Sequence, residues 1–247
     1  IKTDENGGLK WEKTYGDTYH NYGHSVQQTI DGGYIIAGHT NRDNSGDDCD
    51  IWLVKVDSEG GFTWSETYSF PNRDYGYVVL ESQNYDGYYV IGSTQKHAVL
   101  PTAYILKTNT EGLLEWWQYY GGPGTEYAYT ASFDHDGDIL VSGYSYEEGI
   151  IDAQVFLMKA SADDGDLIWY KNFGYLINEY VFDMIPTSDY AYVVVGNTNW
   201  VGNMPEKIII MKFGEYDYGR INVADIDIRA PIDDSQSASD TLLVDIE

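Results

Sequence analysis

The chain has 247 residues, 43% of them hydrophobic and 15% aromatic, enough to bury a substantial core. Forty acidic residues against 14 basic ones leave a net charge of −26, which argues against nucleic acid and anionic membrane surfaces as partners. One cysteine, Cys49, rules out an internal disulfide and any cysteine-built metal cluster, and no apolar run approaches the 18 residues of a membrane-spanning helix.

In chain order, Lys2-Thr3-Asp4-Glu5-Asn6-Gly7 reads as a strand end and turn, and a strand around Trp11 follows, with Tyr15 four residues on. The chain thus opens inside a repeat, without a signal-peptide pattern, as expected of a processed or excised N-terminus. His24–Thr29 then turns through Asp31-Gly32-Gly33 into Tyr34–Gly38; Asp-Gly between apolar runs is a strong hairpin signal. Ile51–Val54 with Lys55 is the third strand, Asp57–Gly60 its turn, and Trp64–Tyr68 the fourth strand. The same unit recurs. Lys2, Lys55, Lys107, Lys159 and Lys212 are spaced 53, 52, 52 and 53, and Trp11, Trp64, Trp116 and Trp169 are spaced 53, 52 and 53. Tyr15, Tyr68, Tyr120 and Phe173 follow the tryptophans, and Gly38, Gly92, Gly143 and Gly196 end the second strands.

Four strands per unit without a helix cannot bury both faces alone, and face-to-face stacking of four-stranded sheets around an axis solves this. The spacing therefore predicts an all-β fold, a β-propeller of four-stranded antiparallel blades over residues 1–230. Full blades are expected at about 22–70, 75–121, 127–174 and 179–228, with a half-blade at 1–16. The last strand of the fourth blade, Ile221–Ile226, lacks the tryptophan. Residues 231–247 form an acidic tail with one apolar strand, Leu242–Ile246, expected to complete a fifth, composite blade or to be exchanged between copies. The recurring aromatic and aliphatic positions read as inter-blade core, and the recurring lysine as a snorkelling side chain or the partner of a turn carboxylate.

Trp11–Gly16, Ser25–Thr40 and Asp50–Gly60 resemble a family of secreted or cell-surface bacterial and archaeal propeller repeats. That family reads W-x-K-T-Y-G, then D-G-G-Y-I-x-A-G-x-T, then D-x-W-L-x-K-x-D-x-x-G. The likeness extends more loosely over about 225 residues: Asp86-Gly87 and Asp136-Gly137 keep the turn, and Ser188-Asp189-Tyr190 loses its glycine. The resemblance implies a prokaryotic extracellular or cell-surface location and no shared catalytic residues.

Chemistry is sparse. No nucleophile elbow, phosphate loop or dinucleotide fingerprint is present, and His20, His24, His39, His97 and His135 show no metal-binding spacing. Asp43, Asp47, Asp48 and Asp50 in one loop, and Asp134, Asp136 and Asp138 in a hairpin turn, are candidate Ca²⁺ ligands, since hard cations want several oxygens. The first loop lacks the closing bidentate Glu, and Asp is also an ordinary turn residue. Glu81, Asp134 and Asp183 are the acids a propeller glycosidase would need, but they fall in different repeat columns. Trp117, Tyr144, Tyr146 and Trp200 lie outside the shared core positions and are candidate ring platforms for a glycan. The expected role is a non-enzymatic structural or binding module, without a cofactor unless Ca²⁺ binds. Its partners would be other surface proteins or glycans, or further copies through the C-terminal strand. A lectin-like propeller, a carbohydrate-active hydrolase or lyase, and a filament subunit are the alternatives.

Overall fold

A computed structural model of the chain describes residues 1–41, 49–70, 73–94, 101–121, 124–146, 152–173, 178–199 and 207–214. Among these residues every regular element is a β-strand. β1 (Lys2–Thr3) and β2 (Leu9–Trp11) pair as a two-stranded sheet. β3 (His20–Gln28), β4 (Tyr34–Asn41), β5 (Asp50–Val56) and β6 (Phe62–Tyr68) form the first full sheet in chain order. β7 (Asp74–Glu81), β8 (Gly87–Thr94), β9 (Thr102–Asn109) and β10 (Leu114–Tyr120) form the second. β11 (Thr125–Phe133), β12 (Ile139–Tyr146), β13 (Gln154–Ala160) and β14 (Leu167–Phe173) form the third. β15 (Asn178–Pro186), β16 (Ala191–Asn199) and β17 (Lys207–Gly214) form a three-stranded fourth sheet. Every pairing between these strands is antiparallel, so the fold is all-β and built from the four-stranded blades of a β-propeller. Both expected end strands, Ile221–Ile226 and Leu242–Ile246, lie outside the described residues, and with them the fifth blade.

The chain divides into two compact units, residues 1–121 and 122–247. In the first, β7 packs on β3, β4 and β5, and Ile35, Leu53, Val79, Val90, Tyr104 and Leu106 share one core. In the second, β15 packs on β11, β12 and β13 around Leu140, Leu157, Val181, Tyr192, Val194 and Met211. Central strands are covered on both faces, which is why they read as apolar runs rather than alternating ones; β8 is buried at every position. Each large aliphatic side chain so buried contributes about 1.5–3 kcal/mol.

In the first unit the recurring tyrosines bind one sheet to the next. Tyr15 Oη donates to the Gly60 carbonyl at 2.8 Å, and Tyr68 Oη to the Gly112 carbonyl at 2.6 Å. Gly60 and Gly112 sit at φ +74° and +81°, where a side chain is strained, and a Cβ there would press on Trp11 and Trp64. In the four larger sheets the recurring lysine meets the turn between the first two strands of its own sheet: Lys55 with Asp31 at 2.8 Å, Lys107 with Asp86 at 3.1 Å, Lys212 with Asp189 at 2.5 Å. The Lys55 ammonium, with help from the Thr29 hydroxyl, holds the Asp31 carboxyl at about 2; Lys212 and Thr187 do the same for Asp189.

Candidate functional site

The first strand of each larger sheet carries a β-bulge at the same place, between Gly23 and Ser25, Gly76 and Val78, Ala128 and Thr130, and Val181 and Asp183. The bulge draws the carbonyls of Tyr22, Tyr75, Tyr127 and Tyr180 onto Gly38, Gly92, Gly143 and Gly196, leaving no room for a Cβ. The four tyrosines repeat at 53, 52 and 53 residues, and the inserted residues are all rings: His24, Tyr77, Tyr129 and Phe182. The residue after the second-strand glycine adds a third ring, His39 or Tyr144, in the first and third sheets.

In the first unit these columns bring Tyr22, His24, His39, Tyr75 and Tyr77 together. His39 stacks on Tyr22 at 4.6 Å and on His24 at 5.0 Å, and meets Tyr75 edge-on at 4.9 Å. His24 Nε2 and His39 Nδ1 share a hydrogen bond of 2.9 Å, and Tyr77 reaches His24 at 5.2 Å. Burial, then the neighbouring His24, lowers the His39 imidazole to about 4; burial also lowers His24. Both rings are therefore neutral at pH 7 and can exchange only one hydrogen-bonding proton between them.

In the second unit Tyr144 is the hub. It lies 5.0 Å from Tyr127, 5.5 Å from Tyr129, 5.9 Å from Tyr146 and 4.7 Å, edge-on, from Tyr180. The Tyr146 and Tyr180 hydroxyls are 3.3 Å apart, and Tyr129 meets Phe182 at 6.1 Å. Burial, then a hydrogen bond to Tyr129, raises the Tyr144 phenol. Half of the Phe182 and Tyr22 surfaces remain open to solvent, at 52% and 49%. Rings that are partly exposed and held by their neighbours form a rigid stacking surface, with hydroxyls at its border.

A polar residue precedes each of the four tyrosines: Asn21, Asp74, Glu126 and Glu179. Opposite them in register stand Thr40, Thr94, Ser145 and Thr198, all buried. In the first unit the Asp74 carboxylate accepts from the Thr94 hydroxyl and from the Phe70 amide at 2.8 Å. Glu179 is one methylene longer, and neither its Oε2 nor the Thr198 hydroxyl has a hydrogen-bond partner among the described residues. Burial lifts the Glu179 carboxyl to about 7.

The residues expected from sequence are distributed otherwise. Asp134, Asp136 and Asp138 all turn to the Lys159 ammonium, at 3.3 Å and 3.2 Å for the latter two. That turn thus holds a cation belonging to the chain itself. Asp50 is buried at the start of β5, opposite Thr40; Asp43, Asp47 and Asp48 lie outside the described residues. Among the described residues no group of three or more His, Cys, Asp or Glu is arranged for a metal. Glu81 accepts from the Ile30 amide at 2.9 Å, and Asp183 from the Met184 amide at 2.9 Å and the Thr130 hydroxyl at 3.3 Å. Each acid of the glycosidase trio is thus held in a contact of its own. Of the four proposed rings, Tyr144 and Tyr146 join the second-unit cluster. Trp117 packs instead with Phe70 and Tyr119 at 5.1 and 4.6 Å, and Trp200 lies outside the described residues. His20 is exposed at the start of β3, His135 reaches the Thr187 carbonyl at 2.9 Å, and His97 lies outside the described residues. The tyrosine and acid columns escape a search for motifs but are visible as repeat-spaced pairs, Asp74-Tyr75, Glu126-Tyr127 and Glu179-Tyr180.

No protein-family model matches the chain, and no curated protein does. It is similar to a solved protein of unknown function from Dyadobacter fermentans, with a TM-score of 0.50 and 11% identity over 80% of this chain and 73% of that one. A solved protein from Lactobacillus plantarum aligns at a TM-score of 0.41 and 10% identity, over 82% and 70% of the two chains. At these identities the first likeness shows the fold alone, and the second carries no argument.

Proposed function

We propose that this chain is a non-enzymatic, extracellular or cell-surface binding module that takes neutral glycans on the rings beside its β-bulges. The observation that carries the reading is the recurrence of ring clusters in the same bulge columns of both units, with Tyr22 and Phe182 half exposed. Sugar faces stack on such rings, and phenol hydroxyls at the border pair with sugar hydroxyls. A net charge of −26 turns the choice away from polyanionic ligands. The propeller-repeat resemblance and the acidic balance support the location. Lys159 serves as the counter-ion of the third-sheet turn, so the proposal needs no metal there.

The test titrates the chain with neutral oligosaccharides of different linkage, following ring fluorescence and heat, with product analysis alongside. Binding without turnover, weakened at least tenfold in Tyr22→Ala or Phe182→Ala, is the expected result. These rings are exposed enough to remove without unfolding the sheet. An absence of binding across the panel, binding indifferent to both substitutions, or cleavage of the sugar rejects the proposal.

A further inference from the structure

In the second unit β11 and β15 pack side by side and meet twice at their bulges. Tyr129 reaches Phe182 with ring centroids 6.1 Å apart, and the Thr130 hydroxyl donates to Asp183 Oδ1 at 3.3 Å. Tyr129 and Thr130 are consecutive, as are Phe182 and Asp183, so two rings and a carboxylate border one stretch of surface. Phe182 is half exposed there and Asp183 is exposed. Asp183 Oδ1 also accepts from the Met184 amide at 2.9 Å. The other carboxylate oxygen, Oδ2, has no partner among the described residues, and Asp183 forms no ion pair with any of them.

The first unit shows that this charge is surplus to the fold. Ser25 and Val79 hold there the positions of Thr130 and Met184. The Ser25 hydroxyl oxygen accepts from the Val79 amide at 3.2 Å and joins β3 to β7 without any acid. The column of Asp183 holds Ser25, Val78 and Thr130 in the other three sheets, so the fourth sheet alone sets a carboxylate beside its bulge ring. An unpaired carboxylate at the border of exposed rings suits a cation, which is drawn to the ring face by its quadrupole and to the carboxylate by charge. We propose that the second unit takes a glycan through a sugar bearing a free amine, its ammonium seated against Asp183 and the ring faces of Phe182 and Tyr129. The inference rests on the glycan reading above and names the class of sugar. Stacking of the sugar ring is kept, so the amine adds to the neutral binding rather than replacing it. An excess of 40 acidic over 14 basic residues favours the approach of such a ligand.

The test compares three trimers of like linkage at pH 6, built from glucosamine, N-acetylglucosamine and glucose. The amine is charged in the first, capped in the second and absent from the third. A cation over an exposed ring and an exposed ion pair each contribute a few-fold, so the glucosamine trimer should bind about tenfold more tightly than the other two. Asp183→Asn keeps an oxygen for the Met184 amide and the Thr130 hydroxyl, so the thermal midpoint should hold while the preference for the amine disappears. Glu5→Gln removes another exposed charge, in the first unit, and should leave the preference intact. Equal affinities for the three trimers in the unaltered chain overturn the inference and leave the neutral-glycan reading standing. A preference that survives Asp183→Asn, or that falls as far in Glu5→Gln, overturns it as well, because overall charge then causes it. If none of the trimers binds, the glycan reading fails and the inference fails with it.

Discussion

Replacing each recurring lysine by methionine keeps the aliphatic stem and deletes the charge, so the four sheets offer a graded experiment. Lys159 is the extreme case. Its side chain is 9% exposed and its partner Asp134 is fully buried, so Lys159→Met strands a carboxylate that water cannot reach. Breaking a buried pair from one side costs about 3–5 kcal/mol. Lys55 and Lys107 are equally buried, but Asp31 and Asp86 keep about 60% of their side chains in water and rehydrate when the ammonium is lost. What remains is the ammonium's hydrogen bonds to the Val56 and Thr108 carbonyls, with the half-exposed Glu115 as a second partner of Lys107 at 3.1 Å, about 1–2 kcal/mol. Lys212→Met, with both partners exposed, should change stability least. Urea unfolding at pH 7, followed by far-ultraviolet dichroism and tryptophan emission, gives the four differences. Raising the salt should shrink the Lys212 effect and leave that of Lys159. Asp134 also accepts the Asp136 and Asp138 amides at 2.9 Å each, and an asparagine oxygen can keep both. Asp134→Asn should therefore recover most of the stability lost in Lys159→Met. If Lys159→Met costs no more than Lys55→Met, or if Asp134→Asn fails to rescue it, the reasoning from the buried partner is wrong. The pair raises the Lys159 ammonium above its ordinary value, so its contribution is intact below about pH 10.5 and is lost only as pH climbs through the raised value.

Further outcomes follow from the bulges, the inter-sheet bonds and the buried acid. Gly143→Ala drives a Cβ into the Tyr127 carbonyl and should cost about 3 kcal/mol or more, whereas Gly7→Ala, with nothing within 4 Å, should cost about 1 kcal/mol from backbone strain alone; thermal unfolding of both checks the contrast. Tyr68→Phe should cost about 1–1.5 kcal/mol, by loss of the buried bond to the Gly112 carbonyl, with no change in dichroism. Glu179, raised from 4.5 to about 7, favours the fold below pH 4.5 and loses that advantage as pH rises to 7; His39, lowered from 6.5 to about 4, favours it above pH 6.5 and loses it as pH falls to 4. Glu179→Gln should thus add roughly 2–3 kcal/mol at pH 8 and remove the decline between pH 4.5 and 7, which stability curves against pH will show.

The chain's own periodicity determined the strand order and the turns, and it offered a turn carboxylate as one of two readings of the recurring lysine, the other being a snorkelling side chain. All three are local: a strand, its hairpin turn and the lysine two strands on lie within about 25 residues, and each repeat states them again. Trp64-Ser65-Glu66-Thr67-Tyr68 and Asp31-Gly32-Gly33 therefore disclose the blade without any knowledge of its neighbours. The tertiary structure alone decided which groups are dry and which rings meet. Asp136 holds the turn position of Asp31 and stays open like it, whereas Asp134 stands where the first turn has Thr29, and both of those side chains are buried. Gly38 reads as a strand-end glycine, but its necessity lies in the Tyr22 carbonyl that a bulge presses against it. His24 and His39 are fifteen residues apart in a hairpin; their shared proton becomes legible only when Tyr75 and Tyr77 close over them from a sheet about fifty residues away. Contacts of that range depend on how whole sheets stack, and no local pattern in the sequence encodes it.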